Sequence, residues 1–379
     1  MRSALRILAV VGTRPEAVKL APVIRRLRQE PARFETFVCA TAQHRELLDS
    51  VLDLFEIVPD IDLDLMRDDQ ASNELASRVF AALDSVLVER SPDWLLVQGD
   101  TTTAMCAAVA AFHRRVQVGH VEAGLRTGDL REPFPEEMNR RVVDMVADAY
   151  FVPTARAAAA LHRELVPQER IHLTGNTVVD ALIQIAGKQG KIEPEDLVLV
   201  TAHRRESFGE GLAAIVAAVA RLASRFPRFR FVHVVHPNPN VRAAMSGYRG
   251  LPNVELVEPL DYASLVSLMR RSRLILTDSG GIQEEAPTFG RPVLVLRRKT
   301  ERPEGIEAGL ARLVGTDGDR IVAEAELVLS GRSDLARGAL GTNPYGDGRA
   351  SDRIAAALDG SPYEPFEPAL SGAAVVAPR

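Results

Sequence analysis

Short apolar runs alternate with segments of helical periodicity along almost the whole chain. The segment 72–90 shows the helical pattern most clearly. Its apolar stripe consists of Leu75, Val79, Leu83 and Val86. Strands that are apolar throughout and alternate with helices are typical of a parallel sheet covered on both faces. The pattern therefore predicts an α/β protein.

The predicted elements form two series that meet near residue 173. Strands are predicted at 6–11, 35–40, 94–98, 117–121, 150–152, 197–201, 230–235, 254–257, 274–277 and 292–296. Helices are predicted at 16–30, 44–54, 72–90, 101–115, 136–147, 154–165, 174–182, 209–225, 239–247, 261–271, 281–289, 319–330 and 351–358. The order predicts two Rossmann-like, doubly wound parallel-sheet domains, 1–172 and 173–350, with the site in a central cleft between them. We expect the helix at 351–360 to return to the first domain and the tail 361–379 to be loosely ordered.

Composition excludes several classes of protein. Apolar residues make up 46% of the chain and charged residues 26%, which is ordinary for a globular protein. A net charge of −5 gives no basic surface for nucleic acid or an anionic membrane, and no apolar run is long enough to span a bilayer. Cys39 and Cys106 lie in apolar segments, as expected of core thiols in a reducing compartment. We therefore expect a cytoplasmic chain.

A predicted anion site follows the strand at 274–277. Ser279, Gly280 and Gly281 form a turn into a helix, whose first N–H groups have no intrahelical partner and attract an anion. Glu285, one turn later, can accept hydrogen bonds from a ribose. Arg302 is a candidate second clamp, because guanidinium binds phosphate in fork geometry. The alternative is an ordinary strand, turn and helix with a turn residue as N-cap.

Charged residues also follow the predicted strands of the first domain. Arg14 and Lys19 lie in the first turns of a helix, where cations oppose the dipole and an anionic ligand would explain them; the alternative is solvated side chains. Asp100 follows a strand but could be an ordinary N-cap. Glu122 ends a strand, and Glu136 starts a helix, a position that favours acids for electrostatic reasons alone. Three carboxylates at one sheet edge can supply a general acid and a general base.

Histidines follow two strands of the second domain. His203 and Arg204 lie directly after one strand and His236 after the next, where a binding or proton-transfer role competes with a structural one. The chain has no Cys/His ligand spacing, no Walker loop and no GxGxxG fingerprint after a strand. We therefore predict neither a metal nor a redox cofactor.

These motifs, in this order, resemble the non-hydrolysing UDP-N-acetylglucosamine 2-epimerases. The resemblance covers residues 5–358 and consists of GTRPEAVKLAP, TAQHRELLD, GDTTT, HVEAGLRTGD, PFPEEMNRR, TGNTVVDAL, HRRESFG, TDSGGIQEEAP, TERPEG, LVGTD and NPYGDG. It implies two Rossmann-like domains in the glycosyltransferase-B-like arrangement and a homodimer.

The resemblance also implies roles for residues. The expected UDP-binding residues are Arg14, His203, Ser279, Gly280, Gly281, Glu285 and Arg302. The expected catalytic residues are Asp100, Glu122, Glu136, His203 and Lys19. Gln43, His44, Arg204 and His236 resemble a second, allosteric nucleotide-sugar site of some bacterial members, although Glu46 and Asp69 depart from that pattern. REPFPEE also departs from the Tyr-Ser-Pro sequence that is commoner at this position in the family.

The implied reaction inverts C2 of UDP-N-acetylglucosamine and gives UDP-N-acetylmannosamine for cell-envelope polysaccharides. UDP leaves by anti elimination as the C2 proton is removed, and it adds back to 2-acetamidoglucal after protonation on the other face. Four alternatives stay open: a hydrolysing epimerase, an epimerase of a modified UDP-sugar, a glycosyltransferase and a UDP-sugar sensor without catalysis. The catalytic carboxylates argue against the sensor.

Overall fold

The computed structural model describes residues 4–41, 45–65, 67, 71–202, 209–236, 238–335 and 343–368, without the side chains of 45–47 and 240. Two compact units share these residues. Unit 1 comprises the chain up to Ala181 together with Gly346–Glu367, and unit 2 comprises Leu182–Tyr345. Each unit is built on one sheet in which all strand pairs are parallel. The predicted parallel α/β fold is confirmed.

Unit 1 contains a seven-stranded sheet in the order β3-β2-β1-β4-β5-β6-β7. Its strands are β1 Leu5–Val11, β2 Phe34–Ala40, β3 Ile61–Asp62, β4 Trp94–Gln98, β5 Gln117–Val121, β6 Ala149–Val152 and β7 Ile171–Leu173. Its helices are α1 Arg14–Arg28, α2 Arg45–Leu54, α3 Ser72–Arg90, α4 Thr102–His113, α5 Glu136–Val146, α6 Ala155–Arg163 and the start of α7 Thr177–Gln189. The central strand β4 is buried over its whole length, as the four apolar residues at 94–97 predict.

Unit 2 contains a six-stranded sheet in the order β10-β9-β8-β11-β12-β13. Its strands are β8 Leu197–Thr201, β9 Arg230–Val234, β10 Val254–Val257, β11 Leu274–Thr277, β12 Val293–Val295 and β13 Ala311–Leu313. Its helices are α8 Glu210–Arg225, α9 Pro239–Ala244, α10 Tyr262–Arg271, α11 Gly280–Glu285, α12 Glu304–Glu307 and α13 Gly318–Leu329. The last helix of the chain, α14 Ala350–Asp359, belongs to unit 1.

The hydrophobic pattern did not predict three strands, β3, β7 and β13, each of which is an edge strand of its sheet. They have only two or three residues, too few to show a period. Two helices predicted as continuous, at 239–247 and 281–289, are instead short α-helices, each followed by a 3-10 turn. These turns lie at Met245–Tyr248 and at Ala286–Phe289. Pro287 in the second turn cannot continue an α-helical hydrogen-bond ladder.

Buried apolar side chains fill each unit. Cys39 and Cys106 are both free and buried, and burial raises the pKa of each thiol to about 12. These thiols are therefore inert core side chains. Within the described ranges, no helix is both long enough and apolar enough to cross a bilayer.

The chain passes between the units inside α7 and again after Tyr345, whereas the sequence predicts divisions after residues 172 and 350. A boundary inside a helix leaves no change in composition or periodicity, so no signal in the sequence marks it. The segment 361–367 also differs from the loosely ordered tail that we predict. Phe366 is 2% exposed, because burial of an aromatic side chain is favourable. Its backbone N–H also donates to Leu173 O at 2.9 Å.

Asp180 fixes α14 to α7 within unit 1. One of its carboxylate oxygens accepts from Ser351 N at 2.8 Å and Ser351 Oγ at 2.6 Å, and the other accepts from Ala350 N at 3.2 Å. These donors lie at the N-terminus of α14, where a carboxylate is favoured. Burial nevertheless raises the pKa of Asp180 to about 6, although the bonds from Ser351 and Ala350 oppose the shift.

We expect Asp180 to make stability depend on pH. Its folded-state pKa of about 6 exceeds its usual 3.8, so the folded chain holds the proton more tightly. The contribution of Asp180 to the free energy of unfolding is therefore fully present below about pH 4. It declines as the pH rises through about 6, by up to about 3 kcal/mol in all. Thermal unfolding of the wild type and Asp180→Asn between pH 4.5 and 7.5 measures this effect. The wild type should lose stability relative to the variant as pH rises, and parallel curves would contradict the prediction.

Candidate active site

The strand order of each sheet reverses at one point, and Arg14, Asp100 and Ser279 follow strands next to these points. In unit 1 the reversal lies between β1 and β4, which lead into Gly12 and Gly99. In unit 2 it lies between β8 and β11, where Thr201 Oγ1 and Thr277 Oγ1 are 2.6 Å apart. Ligands of doubly wound folds bind beyond the strand C-termini at such a point.

The loop after β1 is held by Glu16, a residue that the sequence did not single out. Its carboxylate accepts from Gly12 N at 3.0 Å, Thr13 N at 2.6 Å and Thr101 Oγ1 at 2.6 Å. Glu16 and Thr13 together form a capping box at the start of α1. Burial raises the pKa of Glu16, and these hydrogen bonds oppose the shift. Glu16 thus joins the loop after β1 to the loop after β4, and Arg14, half-buried, is the first residue of α1.

Glu122 receives three donors at the end of β5. Its Oε1 accepts from Lys19 Nζ at 2.5 Å and from Asn176 Nδ2 at 3.2 Å, and its Oε2 accepts from Gln98 Nε2. The residue is 8% exposed, and its φ of 68° lies in the left-handed region, which costs a non-glycine residue about 1 kcal/mol. A buried carboxylate needs such donors, because an unpaired charge is very costly to bury.

Asp100 lies directly after β4 and is tied to α5. Its carboxylate pairs with Arg140, and its backbone oxygen accepts from Asn139 Nδ2 at 2.9 Å. The N-cap of α4 is Thr101, whose hydroxyl accepts from Ala104 N at 3.0 Å. The alternative that Asp100 is the N-cap of α4 is therefore wrong, because Thr101 is the N-cap.

Two acids, Glu136 and Glu137, start α5, and their surroundings differ. Glu137 is fully buried, and its carboxylate accepts from Thr127 N at 3.0 Å and Gly128 N at 3.2 Å, so it fixes the preceding loop. Glu136 is half-buried, and its buried Oε2 has no hydrogen-bond partner among the described residues. A buried polar oxygen without a donor is costly, so a ligand that donates a hydrogen bond to this oxygen would be favoured.

His120 connects the segments that carry the candidate carboxylates. Its Nε2 lies 2.8 Å from Gly99 O and its Nδ1 lies 2.6 Å from Asp144 Oδ1 on α5. Burial disfavours the charged form of Asp144, but His120 and Arg126 outweigh burial and hold its pKa below the usual value. This buried network sets α5, and with it Glu136, against the loop of Asp100.

The predicted glycine turn of unit 2 is present. Ser279 is the N-cap of α11, and its N–H donates to Thr277 Oγ1 at 3.0 Å. A Cβ on Gly280 would lie 2.6 Å from Arg302 Nη1, so the absence of a side chain at Gly280 lets the guanidinium pack on its backbone. The predicted turn and the predicted clamp are therefore in contact with each other.

Arg302 lies between two acids. Its Nε donates to Glu284 Oε1 at 2.8 Å and its Nη1 donates to Glu301 Oε1. The loop that carries it is held by Tyr345, whose hydroxyl donates to Arg302 O at 3.0 Å and accepts from Gly305 N at 2.9 Å. The NPYGDG motif thus supports the loop of Arg302.

The other candidates are placed as follows. Glu285 is buried, and its Oε1 accepts from Tyr262 Oη at 3.3 Å. His236 is exposed after β9, and its Nδ1 accepts from Asn238 N at 3.2 Å. Gln43, His44, His203 and Arg204 lie outside the described residues.

Four residues that hold these groups are not among the predicted site residues: Glu16, Gln98, Asn176 and Tyr345. Each left a signal. Gln98 is a polar residue at the end of an otherwise apolar strand, and Glu16, Asn176 and Tyr345 lie in motifs in which no role was assigned to them. Their partners, however, are distant in sequence, and only the folded chain identifies them.

Comparison with known proteins decides the family. A family model described as UDP-N-acetylglucosamine 2-epimerase matches residues 25–359. The chain belongs to this family. The UDP-N-acetylglucosamine 2-epimerase of Salmonella typhimurium is 48% identical over 370 residues, which cover 93% of this chain and 98% of that protein. The predicted family and enzyme class are thus confirmed.

Solved structures agree. A family member from Neisseria meningitidis, bound to UDP-GlcNAc, has a TM-score of 0.84 and 41% identity over 93% of this chain and 99% of that one. A member from Listeria monocytogenes has a TM-score of 0.88 and 43% identity over 95% and 96% of the two chains. A glycosyltransferase structure with 15% identity and a TM-score of 0.62 shares the fold alone.

Proposed function

We propose that this protein interconverts UDP-N-acetylglucosamine and UDP-N-acetylmannosamine by inversion at C2. A base removes the C2 proton, its electron pair forms the C1–C2 double bond, and the bond from C1 to the UDP oxygen breaks with its electrons. UDP then adds back to C1 of 2-acetamidoglucal while a proton is delivered to the opposite face of C2. No net oxidation occurs, so the reaction needs no redox cofactor.

The observation that carries this proposal is the bonding of Glu122. A buried carboxylate is costly without donors, and Glu122 accepts hydrogen bonds from Lys19, Asn176 and Gln98. Such a group suits proton transfer or stabilisation of positive charge at C1. Asp100 and Glu136 supply two further carboxyl groups, and two acid–base groups are needed because the proton leaves one face and returns to the other.

The second requirement of the reaction is a site for the leaving diphosphate. Ser279, Gly280 and Gly281 at the start of α11, with Arg302 packed on Gly280, support this role in unit 2. We assign Glu285 to the ribose and Arg14 to the diphosphate. His203 completes the proposed set of nucleotide and catalytic residues.

Three further proposals concern the biological setting, the assembly and the regulation of the protein. The product would supply cell-envelope polysaccharide synthesis, and the protein would act as a homodimer. Gln43, His44, Arg204 and His236 would form the second nucleotide-sugar site if the substrate also activates the enzyme.

Incubation with UDP-N-acetylglucosamine in D2O, followed by NMR of the products, tests the proposed reaction. We expect deuterium at C2 of both UDP-N-acetylglucosamine and UDP-N-acetylmannosamine, because each passage through the glucal exchanges that proton with solvent. Free N-acetylmannosamine with UDP would identify a hydrolysing enzyme. An unchanged substrate, even with added activator, would contradict the proposed substrate and favour a modified UDP-sugar or a glycosyl acceptor.

A further inference from the structure

We propose that Gln98 and Asn176 are positioning residues, which keep Glu122 ionised and aim its carboxylate. This inference deepens the proposed function and rests on the catalytic role proposed there for Glu122. Neither residue belongs to the set proposed above for acid–base chemistry or for UDP.

The two amides reach Glu122 from different elements of unit 1. Gln98 is the last residue of β4, and its Nε2 donates to Glu122 Oε2. Asn176 lies in the turn before α7, and its Nδ2 donates to Glu122 Oε1 at 3.2 Å. Gln98 is 3% exposed and Asn176 is 2% exposed, so water cannot easily replace either donor. Each carboxylate oxygen thus has its own amide.

The orientation of Asn176 is determined by its other hydrogen bond. Its Oδ1 accepts from Val178 N at 3.0 Å, and a backbone N–H can only donate. A flipped amide would place NH2 against that N–H and oxygen against Glu122. Asn176 is therefore an obligatory donor to Oε1, and a proton on that oxygen would compete with it.

Neutral donors have a specific advantage next to a reacting carboxylate. They favour the charged form by hydrogen bonding, yet they do not cancel its charge as a second cation would. They also fix the plane of the carboxylate, because the two amides hold its two oxygens separately. Lys19 supplies the ionic contact, and the amides supply direction.

Other charged groups on the neighbouring elements have partners of their own. On α1, Glu16 is bonded to Gly12, Thr13 and Thr101. After β4, Asp100 pairs with Arg140, and on β5, His120 is bonded to Asp144 and Gly99. After the turn that carries Asn176, Asp180 is bonded to Ala350 and Ser351. Lys19 contacts Glu122 from α1, and Asp100 and Glu136 are the other ionisable groups proposed for this sheet edge.

Two near-isosteric variants test the inference. Gln98→Met removes one donor, and Asn176→Asp keeps the acceptor for Val178 N but turns a carboxylate towards Glu122. The acid limb of the kcat–pH profile should move up by about one pH unit in Gln98→Met, because one charge-assisted hydrogen bond to the carboxylate is lost. Asn176→Asp should move it further, because a like charge also disfavours ionisation. UDP affinity should stay within about threefold of wild type.

Asn253→Leu is the matched control. The Asn253 amide donates to Ala223 O and Phe229 O, both at 3.0 Å, in unit 2. This variant should lower the unfolding temperature without moving the acid limb. A loss of kcat that is equal at every pH in the folded Gln98 and Asn176 variants would overturn the positioning role.

A second readout does not need turnover. The carboxyl carbon of Glu122 can be followed by NMR in protein labelled at glutamate, with Glu122→Gln to assign the signal. Its titration should move to higher pH in both amide variants, and an unmoved titration would refute the inference. If the wild type does not exchange C2 in D2O, the proposed reaction fails by itself, and the titration still decides whether the amides hold Glu122 ionised.

Discussion

Replacement of Glu122 by Gln should lower kcat by a factor of about 10³ or more while UDP affinity changes only a few-fold. The variant loses the negative charge, and the amide nitrogen of the new side chain must face one of three donors, Lys19, Gln98 or Asn176. UDP binding should persist because all the residues proposed to bind UDP except Arg14 lie in unit 2. Single-turnover kinetics in D2O and calorimetric titration with UDP measure the two effects separately.

Glu164→Gln is the appropriate control for this experiment. Glu164 is also an acid of unit 1, and it pairs with Arg126 at 2.7 Å. Its replacement should reduce stability slightly and leave kcat unchanged. Near-normal turnover of the Glu122 variant would remove that residue from the catalytic set, and a parallel loss of UDP affinity would indicate general damage to the fold.

Replacement of Arg302 by Ala should weaken UDP binding by about 10- to 100-fold, because a guanidinium makes charge-assisted bonds to phosphate. The change also leaves the buried Glu284 without this partner, so we expect a lower unfolding temperature. Arg302→Lys separates the two effects, because it keeps the charge and removes the fork geometry. Its UDP affinity should fall between those of the wild type and the Ala variant.

Arg312→Ala is the matched control in unit 2. Arg312 also bonds two acids, Glu324 and, at 2.7 Å, Asp334. It lies on β13, at the sheet edge away from the turn at Ser279. This variant should show a comparable loss of stability with unchanged UDP affinity. Wild-type affinity for UDP in folded Arg302→Lys and Arg302→Ala would refute the clamp.

The position of Arg302 explains why its role needs such a test. Its contacts with Glu284 and Glu301 place two negative charges beside the predicted phosphate site. A diphosphate would have to compete with these acids, so part of its attraction to the guanidinium would offset the loss of an ion pair. Gly280, in contact with Arg302, lets the guanidinium approach the start of α11 closely.

The sequence by itself determined the architecture and the location of the candidate residues. Runs such as 197–200 are apolar throughout, and this pattern is sufficient to predict buried parallel strands whose C-terminal ends share an edge. The motifs after those strands were sufficient to predict the family, which the comparisons confirm. The cleft between the units stays a prediction.

Only the tertiary structure decided which side chains support the candidate residues. Gln98, Asn176 and Lys19 are far apart in sequence, and no local period indicates that all three donate to Glu122. Tyr345 likewise supports a loop forty residues earlier. Local pattern predicts strands and helices because they depend on the period of burial. Hydrogen bonds between distant segments depend on how those elements pack, so they become visible only in the folded chain.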